Sequence, residues 1–361
     1  MRKLVAIYIC LSFLACEDNE DIGDLSSIPY VVTPYQIAVP KGWPQPDIPA
    51  DNPMTVQGVE LGRRLFYDPV LSVDSTISCA SCHKIQGSFT DNTAVSTGVF
   101  GRTGRRSSMA LVNMAFMNKG LFWDGRSTTL EEQALLPVED HLEMNENWNI
   151  VEQKLRRNAK YPELFRKAFG IKSKSEITKE LSAKAIAQFE RSIISKDSKF
   201  DLVLQDPLNN SFEDDEQIGY EMFFNITPSL PDAQCGHCHT GSLLTTNQYL
   251  NNGLQEANDF SSFADNGRGE VTKNQFDNGK MRTPTLRNMS YTAPYMHNGS
   301  LKTIDDVLTH YLSSGKFSTN NDPLIQQIKL NNIQKKQLLA FLKTLDDPNF
   351  LKNEAYKNPF K

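Results

Sequence analysis

The sequence has no apolar run long enough to cross a bilayer as a helix, which takes about 20 residues. Its most apolar stretch, from Leu4 to Leu14, falls short of that length. A basic excess is also missing, since 38 Lys and Arg residues stand against 43 Asp and Glu residues and the net charge is −5. Nucleic acid is therefore excluded as an expected partner, because binding its phosphates needs a basic surface.

The N-terminal residues have the pattern of an export signal. Arg2 and Lys3 precede the apolar run, and Leu14-Ala15-Cys16 ends it. This ending is similar to a bacterial lipobox, so we predict a signal peptide over residues 1–15 and a lipid on Cys16. The lipid would anchor the exported chain to the periplasmic or outer face of the envelope, with no other membrane contact. A plain secretory signal is the alternative, and the acidic, Pro-rich residues 16–53 predict a flexible tether.

The chain has only six cysteines, and none is left over for a disulfide. Cys10 lies in the signal, Cys16 is the lipid position, and the others form Cys79-Ala-Ser-Cys82-His83 and Cys235-Gly-His-Cys238-His239. In this Cys-x-x-Cys-His motif two thiols bond to the haem vinyl groups and the histidine binds iron. Two covalently bound c-type haems are predicted. A zinc site or a thiol redox pair is the alternative, but neither explains a histidine directly after each pair.

The length of 361 residues exceeds one ordinary domain, and the chain contains two similar halves. Residues 58–66 and 217–224 have helical apolar spacing, and each segment precedes one of the two motifs. An amphipathic helix closes each half, over Glu176 to Ser195 and over Asn332 to Leu345.

This order of elements predicts a mainly α fold. We expect two cytochrome c-like haem domains that pack against each other, with long irregular loops that wrap the cofactors. The expected bounds are 54–200 for the first domain and 201–347 for the second, and residues 348–361 form a tail.

Several further segments resemble signatures of the dihaem cytochrome c peroxidase and MauG family. They are Leu121-Phe-Trp-Asp-Gly-Arg126, Leu130 to Met144, Thr283-Pro-Thr-Leu-Arg-Asn288, and Thr292 to Gly299. The resemblance covers roughly residues 50–347. It implies that the N-terminal haem reacts with hydrogen peroxide and that the C-terminal haem collects electrons. The donor would be a small c-type cytochrome or a cupredoxin, and a homodimer is a further expectation.

The resemblance also implies roles for three side chains. Glu143 and Gln133 would lie over the open face of the first haem. Peroxide cleavage needs a base there that moves a proton from one oxygen to the other, and a carboxylate with a raised pKa can do so. Trp123 corresponds to a tryptophan between the haems that relays electrons, although a purely structural core aromatic is the alternative.

A calcium ion between the domains is a possible further cofactor of this family. Thr292 and Pro294 match positions whose backbone carbonyls bind it, and hard oxygen ligands suit that ion. Ser107 stands where the family commonly has an asparagine ligand. His297 follows the family's Tyr-Met-His pattern, where it would support the site without binding iron.

The sequence departs from the reductively activated peroxidases at two places. Those enzymes carry a distal histidine after the first motif, but this chain has Gly98-Val-Phe-Gly101 there and no histidine between His83 and His141. The first haem is therefore expected to be open without prior reduction.

The second departure concerns the distal iron ligand of the second haem, where the usual peroxidase has a methionine. The alignment brings Tyr311 to that place, as in the MauG branch. A phenolate would lower the haem potential because it stabilises ferric iron better than a thioether does. Met296 and His310 are competing ligands, since a register error of one residue exchanges Tyr311 for His310.

Three functions follow from these patterns. The leading one is a peroxidase that reduces hydrogen peroxide to water with electrons from a small redox protein. The second is a MauG-like enzyme that uses peroxide to oxidise a protein or an organic substrate, which the missing distal histidine and Tyr311 favour. The third is an electron-transfer cytochrome without peroxide chemistry.

Overall fold

The computed structural model describes residues 23–360, and most of its regular structure is helical. The first half contains the helices α1 (Val56–Tyr67), α2 (Cys79–Cys82), α3 (Leu130–Glu139), α4 (Trp148–Arg157), α5 (Tyr161–Phe169) and α6 (Lys179–Ser192). The second half contains α7 (Lys199–Gln205), α8 (Asp214–Phe224), α9 (Arg268–Thr272), α10 (Ile304–Leu312) and α11 (Asn332–Lys343). A short antiparallel pair joins β1 (Tyr249–Leu250) to β2 (Met281–Arg282).

Side-chain caps set where the long helices begin. Thr55 accepts a hydrogen bond from the Gly58 amide at the start of α1, and Thr178 accepts one from the Leu181 amide in α6. The predicted closing helix over 176–195 is therefore shorter in the structure. Glu176 belongs instead to a separate 3-10 turn that ends before the Thr178 cap.

The same helix crossing occurs in both halves. α1 packs across α6, and α8 packs across α11. A Cβ atom on Gly62 would lie 1.8 Å from the Ala185 carbonyl oxygen, and one on Gly219 would lie 2.2 Å from the Gln337 carbonyl oxygen. Only glycine permits so close an approach of two helix backbones. The two halves therefore repeat one packing arrangement, as their similar sequences indicate.

The segment before α1 is not the solvated tether that its composition predicts. Within its described part, residues 23–53, Leu25 is buried in the core of the first half with Leu61. Trp43 is also buried, with its ring edge-on to Phe116 at 5.4 Å between centroids. Such apolar residues decide the packing of a segment whose prolines and acidic residues predict a tether. The predicted signal peptide and the lipid position Cys16 lie outside the described residues.

The residues after α11 return to the first half. Phe350 and Tyr356 pack on the ring of Phe89, with centroids 5.9 and 6.4 Å away. The Tyr67 hydroxyl donates to the Tyr356 carbonyl at 2.6 Å. The predicted tail is therefore part of the core beside the first haem motif.

Polar contacts join the two halves. Arg106 forms a bidentate ion pair with Asp265, with both N–O distances at 2.7 Å. It also forms an ion pair with Asp124. The Arg282 amide donates to the Trp123 carbonyl at 2.7 Å. These contacts pack the halves against each other. Within residues 23–360, no helix combines the length and apolar character that crossing a membrane requires.

Candidate active site

The first Cys-x-x-Cys-His motif forms the short helix α2 and the residue after it. Ser78 and Ser81 cap this helix reciprocally. The His83 Nδ1 atom donates to the Phe89 carbonyl at 2.8 Å, and Phe89 is fully buried. Because Nδ1 carries the proton, Nε2 presents a lone pair, which is the form of histidine that binds iron.

The second motif forms a 3-10 turn over Cys235–His237, and its histidine makes the same kind of backbone hydrogen bond as His83. His239 Nδ1 donates to the Leu244 carbonyl at 3.3 Å, and burial lowers the pKa of His239 to about 4. The imidazole is therefore neutral at pH 7 and can act as a ligand through Nε2. Cys235 and Cys238 line one cavity together with His239.

The four motif cysteines fit covalent haem attachment. None of them forms a disulfide, and burial raises the pKa of Cys235 to about 12 and that of Cys82 to about 11. They are therefore neutral thiols, and addition of each S–H across a haem vinyl group would form the thioether bonds that the motif predicts. Across residues 23–360, no group of three His, Cys, Asp or Glu side chains is placed to hold a metal ion. A structural zinc site takes four such ligands, and the described residues do not bring them together.

Glu143 lies beside the first motif. Its backbone carbonyl accepts a hydrogen bond from the Val99 amide at 2.9 Å, and its half-buried carboxyl is close enough to Cys79 and Cys82 to raise the pKa of both thiols. Burial, helped by Asp140, raises the pKa of Glu143 to about 7. A carboxyl with this pKa can take up and release protons at neutral pH.

Two arginines offset that rise. Arg126 and Arg105 are near enough to lower the pKa of Glu143, although burial outweighs them. Arg126 lies over the Phe122 ring at 3.5 Å, and Arg105 approaches Asp140 at 3.8 Å. The carboxyl therefore lies in a partly cationic surrounding that the sequence patterns did not reveal.

Gln133 and the loop 98–101 are the remaining parts of the first site that the sequence predicts. Gln133 is half-buried on α3, and its side-chain amide makes no hydrogen bond to another described residue. In the loop, the Val99 amide binds the Glu143 segment, whereas Phe100 is 63% exposed. No imidazole lies in this loop, so it supplies no iron ligand.

Tyr311 and Met296 line the cavity of the second motif, and His310 does not. The Asn252 Nδ2 atom donates to the Met296 sulfur at 3.2 Å and approaches the Tyr311 hydroxyl at 3.5 Å. His310 Nε2 instead donates to the Asn252 carbonyl at 2.9 Å. The geometry therefore favours Tyr311 over His310, and Met296 stays an alternative.

Trp123 lies between the halves. Its indole Nε1 donates to the Ser107 carbonyl at 2.9 Å, and its ring is edge-on to buried His297 with 6.4 Å between centroids. Trp123 and His297 also line the cavity of the second motif. Trp123 is therefore both a packed aromatic and a neighbour of the second haem site.

The three residues predicted to bind calcium line that cavity as well. The Ser107 hydroxyl donates to the Met296 carbonyl at 2.9 Å, and the Thr292 hydroxyl donates to the Met289 carbonyl at 3.0 Å. Pro294 offers a backbone carbonyl but no amide donor. Calcium binding by Thr292, Pro294 and Ser107 stays a prediction.

The sequence patterns missed two polar residues of the second site. Asn252 contacts Met296, Tyr311 and His310, but it lies in a long loop without a motif. Arg282 lines the same cavity and directly precedes the segment that begins at Thr283. Its position directly before the segment that begins at Thr283, which resembles a family signature, was the feature of the sequence that pointed to this residue.

Two halves with the same helix crossing, each with a haem-attachment motif, and a half-buried carboxyl beside the first motif are features of a dihaem peroxidase. A family profile described as di-haem cytochrome c peroxidase matches residues 56–208. Cytochrome c551 peroxidase of Nitrosomonas europaea is 33% identical over 305 residues, with 84% of each chain covered. The chain belongs to the dihaem cytochrome c peroxidase and MauG family.

Two further relatives represent the MauG branch. Methylamine utilization protein MauG of Methylophilus methylotrophus is 30% identical over 300 residues, which cover 82% of this chain and 85% of that protein. The crystal structure of a MauG-like protein associated with microbial copper homeostasis matches with a TM-score of 0.82 and 30% identity. The match covers 91% of this chain and 100% of that one. The mainly α fold with two haem domains is confirmed, and the protein is an oxidoreductase of the peroxidase type.

Proposed function

We propose that hydrogen peroxide is reduced to water on the side of the first motif that Glu143 faces. The observation that carries this proposal is the half-buried Glu143 carboxyl beside Cys79 and Cys82, with its pKa raised to about 7 by burial. The reaction consumes one peroxide, two electrons and two protons and forms two waters. A haem held by Cys79, Cys82 and His83 would supply the redox-active iron.

Glu143 holds and moves the proton in this proposal. As a carboxylate it accepts a proton from one peroxide oxygen, and as a carboxylic acid it returns that proton to the other oxygen, which then leaves as water. The amide of Gln133 has donors not used by described residues, and we assign it the role of orienting peroxide.

We further infer that the first site needs no prior reduction. Resting inhibition would require an imidazole above His83, and the loop 98–101 contains none. The Val99 amide donates to the Glu143 carbonyl at 2.9 Å, so the loop lies beside the residue that we assign to proton transfer.

We propose that electrons enter at the second half and reach the first through Trp123, which lines the second cavity. A small c-type cytochrome or a cupredoxin is the donor. In the test, the purified holoprotein is mixed with peroxide and a reduced small c-type cytochrome. Two cytochromes oxidised for each peroxide consumed is the expected result.

A MauG-like oxidation is the second candidate, and the placement of Tyr311 in the second cavity favours it. In that case peroxide removes electrons from a protein or organic substrate. The same assay separates the two functions. Peroxide consumption that leaves reduced cytochrome unchanged, but depends on an added organic reductant, would support the MauG-like function.

We also propose that the protein is exported, cleaved before Cys16 and anchored by a lipid to the periplasmic or outer face of the envelope. The support is the sequence Leu14-Ala-Cys16 after an apolar run. A Cys16→Ser variant should appear in the soluble fraction, whereas the unchanged chain should sediment with membranes. An equal distribution of both would exclude the anchor. A homodimer stays a prediction.

A further inference from the structure

Arg282 is a buried cation with no anionic partner among the residues that the structure describes. The residue is 4% exposed, and burial lowers the pKa of its guanidinium to about 10. The other arginines that are as deeply buried among residues 23–360 each pair with a carboxylate: Arg287 binds Asp201 through two contacts of 2.7 Å, and Arg191 binds Glu131. No described carboxylate lies within ion-pair distance of Arg282.

The contacts of Arg282 leave part of its guanidinium unused. Nε donates to the Phe122 carbonyl at 3.1 Å, Nη1 donates to the Asn247 side-chain oxygen at 3.0 Å, and Nη2 approaches the Met109 sulfur at 3.4 Å. A guanidinium has five N–H donors, so donors remain, and neutral acceptors do not balance a buried charge.

Arg282 also borders the cavity that Cys235, Cys238 and His239 line. A haem attached to those residues carries two propionate carboxylates. A planar guanidinium binds a carboxylate through two parallel hydrogen bonds, which a lysine cannot reproduce. We propose that Arg282 binds a propionate of the second haem, which supplies the anion that residues 23–360 do not provide there.

This contact would connect the second haem to the Trp123 segment. The Arg282 amide donates to the Trp123 carbonyl at 2.7 Å, and its side chain holds the neighbouring Phe122 carbonyl. One residue thus fixes both the haem edge and the segment that carries the proposed relay. The inference rests on haem attachment at the second motif, and it does not depend on the peroxide chemistry at the first.

The test compares holoprotein variants by two measurements made without peroxide. Arg282→Met removes the charge at similar length, and Arg282→Lys keeps the charge but not the forked geometry. Arg268→Met is the matched control, because Arg268 also binds backbone carbonyls of the 124–125 segment but does not line the cavity. The measurements are the midpoint potential of each haem and the propionate bending bands in resonance Raman spectra.

Arg282→Met should lower the potential of the second haem, because loss of a nearby cation favours ferric iron, and it should shift a propionate band. Arg282→Lys should shift the band but retain most of the potential. Arg268→Met should change neither. Unchanged bands and potential in Arg282→Met would overturn the proposal. If that variant does not fold, an unchanged band in Arg282→Lys would overturn it equally.

Discussion

The Glu143→Gln variant is expected to lose about 10²- to 10⁴-fold in kcat/KM for hydrogen peroxide, the range that a positioned acid–base group contributes. Glutamine keeps the size and hydrogen-bonding ability of the side chain, but it cannot carry the proton between the two peroxide oxygens. The measurement is steady-state peroxide reduction by holoprotein with both haems attached. Glu139→Gln is the control, since Glu139 is exposed on the same chain segment.

The pH dependence of the peroxide reduction rate is a second test of the role of Glu143. Burial raises the pKa of Glu143 to about 7, and only the ionised carboxylate can accept the first proton. The rate should therefore rise as the pH increases through about 7, and this step should be absent in Glu143→Gln. If Glu143→Gln kept the rate of the Glu139→Gln control and the pH profile of the unchanged protein, Glu143 would have no part in the mechanism.

Tyr311→Met is expected to raise the midpoint potential of the second haem by on the order of 0.1 V, within the ≈0.8 V range that axial ligands span. A phenolate stabilises ferric iron, and a thioether does not. Burial raises the pKa of Tyr311 to about 12, so the free phenol stays protonated, and binding to iron would have to remove that proton. Redox titration monitored by absorbance measures the effect.

His310→Gln is the matched control for Tyr311. His310 is adjacent in sequence, but it does not line the cavity, and its Nε2 donates to the backbone carbonyl of Asn252. Its replacement should leave the potential unchanged. A potential that does not change in Tyr311→Met would mean that Tyr311 is not the iron ligand, and it would favour Met296, whose side chain lines the same cavity.

The long helices could be predicted from sequence because their signals are local. α6 and α11 show apolar residues at helical spacing, and Thr178 and Asn331 supply side-chain caps. The packing of residues 23–53 could not be predicted in this way. It depends on residues such as Leu25 and Trp43, whose packing partners lie far along the chain.

The candidate site likewise contains residues that local sequence patterns identify and surroundings that they do not. The haem motifs have fixed spacing, so Cys79, Cys82 and His83 were identifiable directly, and the family resemblance pointed to Glu143. The surroundings of these residues depend on loops that meet only in the folded chain.

The contacts around the second motif illustrate this limit. Asn252 reaches Tyr311 across 59 positions, and no local pattern predicts such a contact. Arg282 was missed because its unbalanced charge is visible only when its burial is known.

The most direct test of the account is stopped-flow absorbance of the fully oxidised holoprotein mixed with hydrogen peroxide, repeated after reduction by one electron. The loop 98–101 contains no imidazole that could block the first haem. We therefore expect a rapid spectral change in the diferric protein. A reaction that occurs only after reduction would contradict an open first site.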